Sequence, residues 1–570
     1  MLAASGPSTS SIPSSLDQLP NELLIGVLSY IDGPRNLANI CVVLPRCRQL
    51  AEPFFRQYLA SYYFTGLDSL KNFVGFMLQH QYLREYVVQV DFEDCGHLIN
   101  AVEDWWTTDG RDYQVFKPEI LAVLRKAAFP EWSCSDHGRS AYEVVRKLED
   151  TPGPEERYAG WSDDRLRRDA LIAILLILLP NVRHMHIESW HCEHFITHLF
   201  HEAMACLGKA NEDDMAFLRH AVAQEVPLEF SLHGILIPSH CVALLHLTQL
   251  SLFYSEHSNG EGASSIAQII PYFYLPCLVR LDGYSIITCD DEDEDDKMHD
   301  VEISRDRRYG LSETPQKMSS VTNLNFCNCA ISIDQLEMAI QIPKVLKSFH
   351  YSYGGFALLT DQLRPMWDEE AFDGTRLNEI ILRHAKTTLV SLSLHADPWE
   401  FPDSSHGFDV TPSDSSASMG PLREYELLKH LSVPLVLLLG RADEERAFRL
   451  TEMLPATLES LCIYCCFYQA SAAVWQPQEY FPHVLELLSQ KAALVPNLKL
   501  LKIWALGWKD FERVGDQNLH KETPQKAFIA RNPVYAKLQD ACNAADVELT
   551  FFEADADEVN VQELAIPHVD

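Results

Sequence analysis

Basic residues are scarce in this chain: 46 Lys and Arg stand against 81 Asp and Glu, a formal net charge of −35 over 570 residues. So negative a surface repels phosphate backbones and anionic lipid headgroups, so neither nucleic acid nor a membrane surface is expected as a partner. Long apolar runs are missing too. The longest, Ala170–Leu179, falls far below the ~20 residues needed to span a bilayer. Met1–Ser15 is rich in Ser, Pro and Ala, with no basic stretch leading into an apolar block, so no secretory leader is expected. Fifteen Cys, an odd number without a compact framework, suit a reducing compartment. The expected location is cytosol or nucleus.

The signatures of catalysis are equally thin. There is no Gly-x-Ser-x-Gly elbow, no phosphate-binding Gly-x-x-x-x-Gly-Lys loop and no dinucleotide fingerprint. The closest approach to a metal site is His184, His186, His191, His194, His198 and His201. His194 and His198 share a face if helical. Phe195 stands where a zincin needs Glu, and no Asp or Cys is obviously placed to complete the set. Cys462 and Cys465 form a Cys-x-x-Cys with Cys466 beside them, but a structural zinc needs a second pair. Buried thiols acting as small apolar fillers explain them better. The run Asp290–Asp296 lacks the alternation and Gly of a calcium loop and reads as a solvated loop, or as an electrostatic lure for a basic partner. No metal, cofactor or catalytic residue is assigned.

What the chain does have is concentrated near its beginning. Leu19-Pro20-Asn21-Glu22-Leu23-Leu24 is followed by Val27-Leu28 and Tyr30-Ile31-Asp32. A Pro at the first helical position gives up an N–H that would be unpaired anyway. Leu23, Leu24, Val27, Leu28 and Ile31 then recur at helical spacing on one side. Gly33-Pro34 ends that helix and opens a second carrying Leu37, Ile40 and Val43. The segment closes on Leu50-Ala51-x-Pro53 and Arg56. This ordered series resembles the F-box, a module of three helices that docks on a Skp-type adaptor of cullin ubiquitin ligases. The resemblance implies an adaptor contact through Leu19, Pro20, Glu22, Leu23, Leu24, Val27, Leu28 and Ile31, supported by Leu37 and Val43. Two positions depart from the family pattern: Pro45 stands where a basic residue is usual, and Cys47 where an aromatic one is frequent.

A second pattern fills the rest: an apolar residue, two others, an apolar residue, one other, and a third apolar residue. It occurs as Val87/Val90/Phe92, Val182/Met185/Ile187, Leu247/Leu250/Leu252, Val321/Leu324/Phe326 and Leu346/Phe349/Tyr351. It continues as Leu389/Leu392/Leu394, Leu428/Leu431/Val433, Leu458/Leu461/Ile463 and Leu498/Leu501/Ile503. The last two positions of each triplet share one face of a strand. Helix-like blocks, such as Arg168–Leu179 before Pro180-Asn181 and Pro482–Leu494 before Pro496-Asn497, separate the strands. The recurring order is similar to a leucine-rich-repeat solenoid, with Cys329 and Cys466 where such repeats place Asn or Cys. The alternative is a mixed α/β domain with unrelated strands.

The expected organisation is therefore α/β. Residues 1–14 form a disordered terminus and 15–60 a three-helix F-box. Residues 61–555 form an irregular leucine-rich-repeat-like solenoid with parallel strands, and 556–570 an acidic tail. Polar, Gly-, Pro- or acid-rich stretches near 149–160, 289–313 and 399–420 read as mobile insertions, because such composition cannot offset its ordering entropy. The resemblances together imply a non-catalytic substrate-receptor subunit of an SCF-type ligase, joined through the adaptor to cullin and binding a target protein through the repeats. Two other readings stand beside it. One is an interaction scaffold with a degenerate F-box, motivated by Pro45 and Cys47. The other is a metal-dependent hydrolase built on the histidines.

Overall fold

Every residue of the nine triplets is sealed from solvent, and within each compact unit the strands that carry them pair in parallel. The computed structural model describes Leu16, 19–64, 67–92, 168, 171–188, 242–253, 264–287, 317, 319–329, 331–353, 373–396, 418–440, 448–466, 477–506 and 533–554. The segments expected as a disordered terminus (1–14) and an acidic tail (556–570), and most of the three expected insertions, lie outside those residues. So do His191, His194, His198 and His201. The chain divides into two compact units, the first built on residues up to Ile187 and the second on Thr248 onward.

The first unit opens with helices α1 (Asn21–Ser29), α2 (Pro34–Val43) and α3 (Cys47–Leu59). Both α1 and α2 pack on α3. Gly33, at φ 79°, makes the reversal between α1 and α2 in a conformation that a side chain would strain. Strand β1 (Ser61–Phe64) follows, crosses through α4 (Leu67–Gln79) and a 3-10 turn (Gln81–Tyr86), and pairs with β2 (Gln89–Phe92). Strand β2 pairs with β3 (His184–Glu188), again in parallel. Phe55 of α3 is sealed between Tyr82 and Tyr86, with ring centroids 6.1 Å away in both cases. Arg48 lies 4.2 Å above the Tyr82 ring and Arg56 5.4 Å above Tyr86. The helices are thus packed into the same compact unit as the first strands.

The second unit contains β4 (Gln249–Phe253), β5 (Ser264–Ser265), β6 (Arg280–Tyr284), β7 (Ile286–Ile287), β8 (Asn323–Cys329), β9 (Ser348–Tyr353) and β10 (Ser391–Ala396). Strands β11 (His430–Pro434), β12 (Ser460–Cys466), β13 (Leu500–Leu506) and β14 (Glu548–Ala554) complete it. Strands β5 and β7 form a two-stranded parallel pair of their own, and the other nine run in one parallel order by sequence. Register stacks the triplets: Leu250, Leu281, Leu324, Phe349, Leu392, Leu431, Leu461, Leu501 and Leu549 sit side by side. An apolar ladder on one face, with helices in the connections, is a solenoid-like α/β arrangement.

Two devices recur at the strand entries. The residue before the strand donates its N–H to the corresponding carbonyl of the previous repeat: Lys347 to Thr322, Val390 to Lys347 and Lys429 to Val390, each at 2.8 Å. Two residues further back, a polar side chain hooks another carbonyl of that repeat. Thr388 Oγ1 donates to Leu346 O (2.9 Å), Thr457 Oγ1 to Leu428 O (2.7 Å) and Asn497 Nδ2 to Ala456 O (3.2 Å). Asn181 does the same to Glu85 O (3.1 Å) in the first unit, which explains why Pro-Asn recurs before strands.

Helices follow capping chemistry. The Ser332 hydroxyl accepts from Gln335 N–H at the start of α5 (Ile333–Gln341), and the Asp373 carboxylate from Arg376 N–H at the start of α6 (Gly374–Ala385). Ion pairs Arg376–Asp334 and Arg383–Glu337 join these helices, with His384 Nε2 3.1 Å from Glu337. The predicted helix over Pro482–Leu494 starts five residues earlier, as α7 (Pro477–Ser489), and a short second piece covers Lys491–Leu494 after Gln490 leaves helical geometry. Helix α8 (Pro533–Ala544) packs on α7.

Candidate partner-binding surface

Helix α1 carries more apolar side chains than its own unit can cover. At about 100° per residue, with Leu23 as zero, Val27 lies near 40°, Leu24 near 100° and Leu28 near 140°; the C-cap Tyr30 carries the turn on to near −20°, and Ile31 follows just past the helix. Exposure follows that angle. Tyr30 is 88% exposed, Leu23 56% and Val27 40%, Ile31 is half-buried, and Leu24 and Leu28 fall to 2% and 1%. The stripe that reads as one face in sequence is therefore divided, because the groove beside α3 accepts only its edge.

The sequence-assigned residues divide into sealed and solvent-facing ones, with Leu19 and Ile31 half-buried between them. Leu24, Leu28 and Leu37 are sealed within the unit and hold the helices together, so they cannot touch a partner without unfolding it. Pro20, Glu22, Leu23, Val27 and Val43 face solvent, Val43 at 76% exposure, and Leu19 is half-buried. Pro20 occupies the N-cap, one position earlier than expected, with its carbonyl accepting from Leu24 N–H at 3.1 Å. Glu22 lies in the first turn, where the helix dipole favours its charge. Sequence reasoning missed Tyr30, Val42 and Ile25, all exposed. Their angular positions were legible, but the inner edge of the stripe was not.

Cys47 and Pro45, the two positions that differ from the F-box pattern, sit in different environments. Cys47 is sealed at the start of α3, so it is a packing position and not part of a surface. Pro45 is exposed in the turn before α3, and its carbonyl accepts from Arg48 N–H at 3.1 Å. Beside the turn, Arg46 donates to Asn21 Oδ1 and ties the start of α1 to the start of α3. Cys41, also sealed, has its thiol pushed up to about 11 by burial and then by Cys47, which makes it a packing group and not a nucleophile.

The second unit has a further polar feature, the strand face opposite the apolar ladder, most of it buried. There Ser251, Asp282, Asn325, His350, Ser393, Ser432 and Cys462 lie side by side in register. Parallel sheets are usually apolar on both faces, so this polar row is unusual. Asp282 is sealed and fully engaged: Arg280 Nε donates to both of its oxygens at 2.9 Å and Ser251 Oγ to one at 2.8 Å. Ser432 Oγ and Tyr464 OH lie 2.6 Å apart, and the His395 ring stands edge-on to Tyr464 at 5.2 Å. His350 is pushed down to about 3, first by burial and then by His395 and Arg280 nearby. It is therefore neutral and a poor general base at physiological pH. Ser393 is its register neighbour, but the His350 Nε2 and Ser393 Oγ atoms make no hydrogen bond. Ser393 and His350 thus form no Ser–His dyad.

Cys329 is sealed, its thiol donating to Cys327 O at 3.0 Å and held well above the usual thiol range by burial. His184 and His186 lie two apart on β3. Among the described residues, no three His, Cys, Asp or Glu come together as metal ligands, and no helix is long and apolar enough to cross a membrane. No known family model matches the chain, and no curated protein matches it significantly.

Proposed function

We propose that this chain is the substrate-receptor subunit of an SCF-type cullin ubiquitin ligase, with α1–α3 as its F-box. The observation that carries this reading is the exposed apolar edge of Leu23, Val27 and Tyr30 on a helix whose other apolar edge is already buried. Exposed Val42 and Val43 on α2 add to it. Apolar side chains grouped on short helices are costly to leave in water, and such a patch marks a protein–protein contact. On this reading the Skp-type adaptor takes Leu19, Pro20, Glu22, Leu23, Val27, Val43 and the flanking Tyr30. Leu24, Leu28 and Leu37 shape the surface from beneath. The parallel-strand repeats hold a target protein, and the chain acts by proximity, raising the effective concentration of a target lysine near the charged ubiquitin carrier. The compartment that fits this role is cytosol or nucleus.

The test is co-purification with a Skp-type adaptor. Leu23→Ala/Val27→Ala removes two anchors, each worth about 1–2 kcal/mol or more if central to the interface. Adaptor affinity is expected to fall at least tenfold, with far-UV circular dichroism unchanged. Undiminished adaptor binding by the double variant refutes the assignment. The second reading, an interaction scaffold whose F-box recruits no ligase, is favoured by Pro45 at the exposed turn before α3. It gains if the purified wild-type protein binds no Skp-type adaptor at micromolar concentration.

A further inference from the structure

We draw no further inference here: the strongest candidate, the polar cluster on strands β9–β12 around His350 and Ser393, leaves Nε2 and Oγ sealed without hydrogen-bond partners, but nothing in the structure shows what covers that face or what ligand could reach it.

Discussion

Strand β6 holds the sharpest test of how these repeats pack. Its inward positions are Leu278, Leu281 and Gly283, so the third rung of the triplet is a residue with no side chain. By the pattern alone, Gly283→Val should improve the strand, since it restores a β-branched residue where neighbouring strands have Leu252 and Phe326. The structure predicts the reverse. A Cβ at 283 would sit 2.2 Å from Ile286 Cδ1 and 3.2 Å from Phe326 Cδ1. Ile286 is sealed, reached through a turn in which Ser285 adopts φ 56°, and its side chain already fills the rung. Overpacking of this kind costs about 1–3 kcal/mol. Ile286→Ala alone empties the same space and should cost about 2–5 kcal/mol. The double variant puts the Val methyls where the Ile carbons were. It should therefore be more stable than the sum of the two losses predicts, by a coupling of about 1–3 kcal/mol. Urea denaturation followed by tryptophan fluorescence would measure all four corners. A neutral or stabilised Gly283→Val, or strictly additive losses in the double variant, would refute the claim that Ile286 occupies the glycine's rung.

Other expectations follow from the same packing. Leu28→Ala should destabilise the first unit by about 3–5 kcal/mol while Leu23→Ala stays within about 0.5 kcal/mol; equal shifts in thermal midpoint would show that the α1 stripe is not divided. Tyr425 OH donates to the sealed Asn378 Oδ1 at 2.8 Å, so Tyr425→Phe should lower stability by about 1–3 kcal/mol, and a neutral result in urea would remove that bond from the core. The pH dependence has a defined sign. His350 has a folded value of about 3 against 6.5 as its ordinary value, so between them the unfolded chain binds a proton that the folded chain does not. Stability is complete above 6.5 and falls as the pH drops, by up to about 1.4 kcal/mol per unit. His80, His184, His430 and His483 are shifted in the same direction. His350→Gln should therefore flatten the slope between pH 6.5 and 5 without abolishing it, and an unchanged slope would disprove the assignment. Finally, Thr457→Val removes one inter-repeat hook, and a loss of about 1 kcal/mol is expected in the urea midpoint.

The sequence carried the strand ladder because its cause is local and repeats: an inward face needs apolar residues at fixed spacing, and nine triplets state that spacing openly. Three ladder strands it did not disclose each break the statement in a particular way. In β1 the triplet is Leu59, Tyr62 and Phe64, but Leu59 is also the last residue of α3, so helix periodicity masked it. In β6 the third rung is Gly283, filled from Ile286 by a turn that no strand pattern encodes. In β14 the chain enters through Asp546 at φ 53°, where the other strands place an apolar residue.

Which apolar residues would be spent on the chain's own interior was decided only by tertiary packing. Leu23 and Leu28 are the same residue type on the same helix, and nothing in their neighbours distinguishes them. Their fates separate because α3 offers a groove of finite width, which seals one edge of the stripe and leaves the other in water. The polar row of the second unit was likewise hidden. His350, Ser393 and Ser432 are far apart along the chain, and only the parallel register sets them side by side. Periodicity fixes which face a side chain takes on its own element; the partner element, brought from elsewhere in the chain, fixes whether that face is covered.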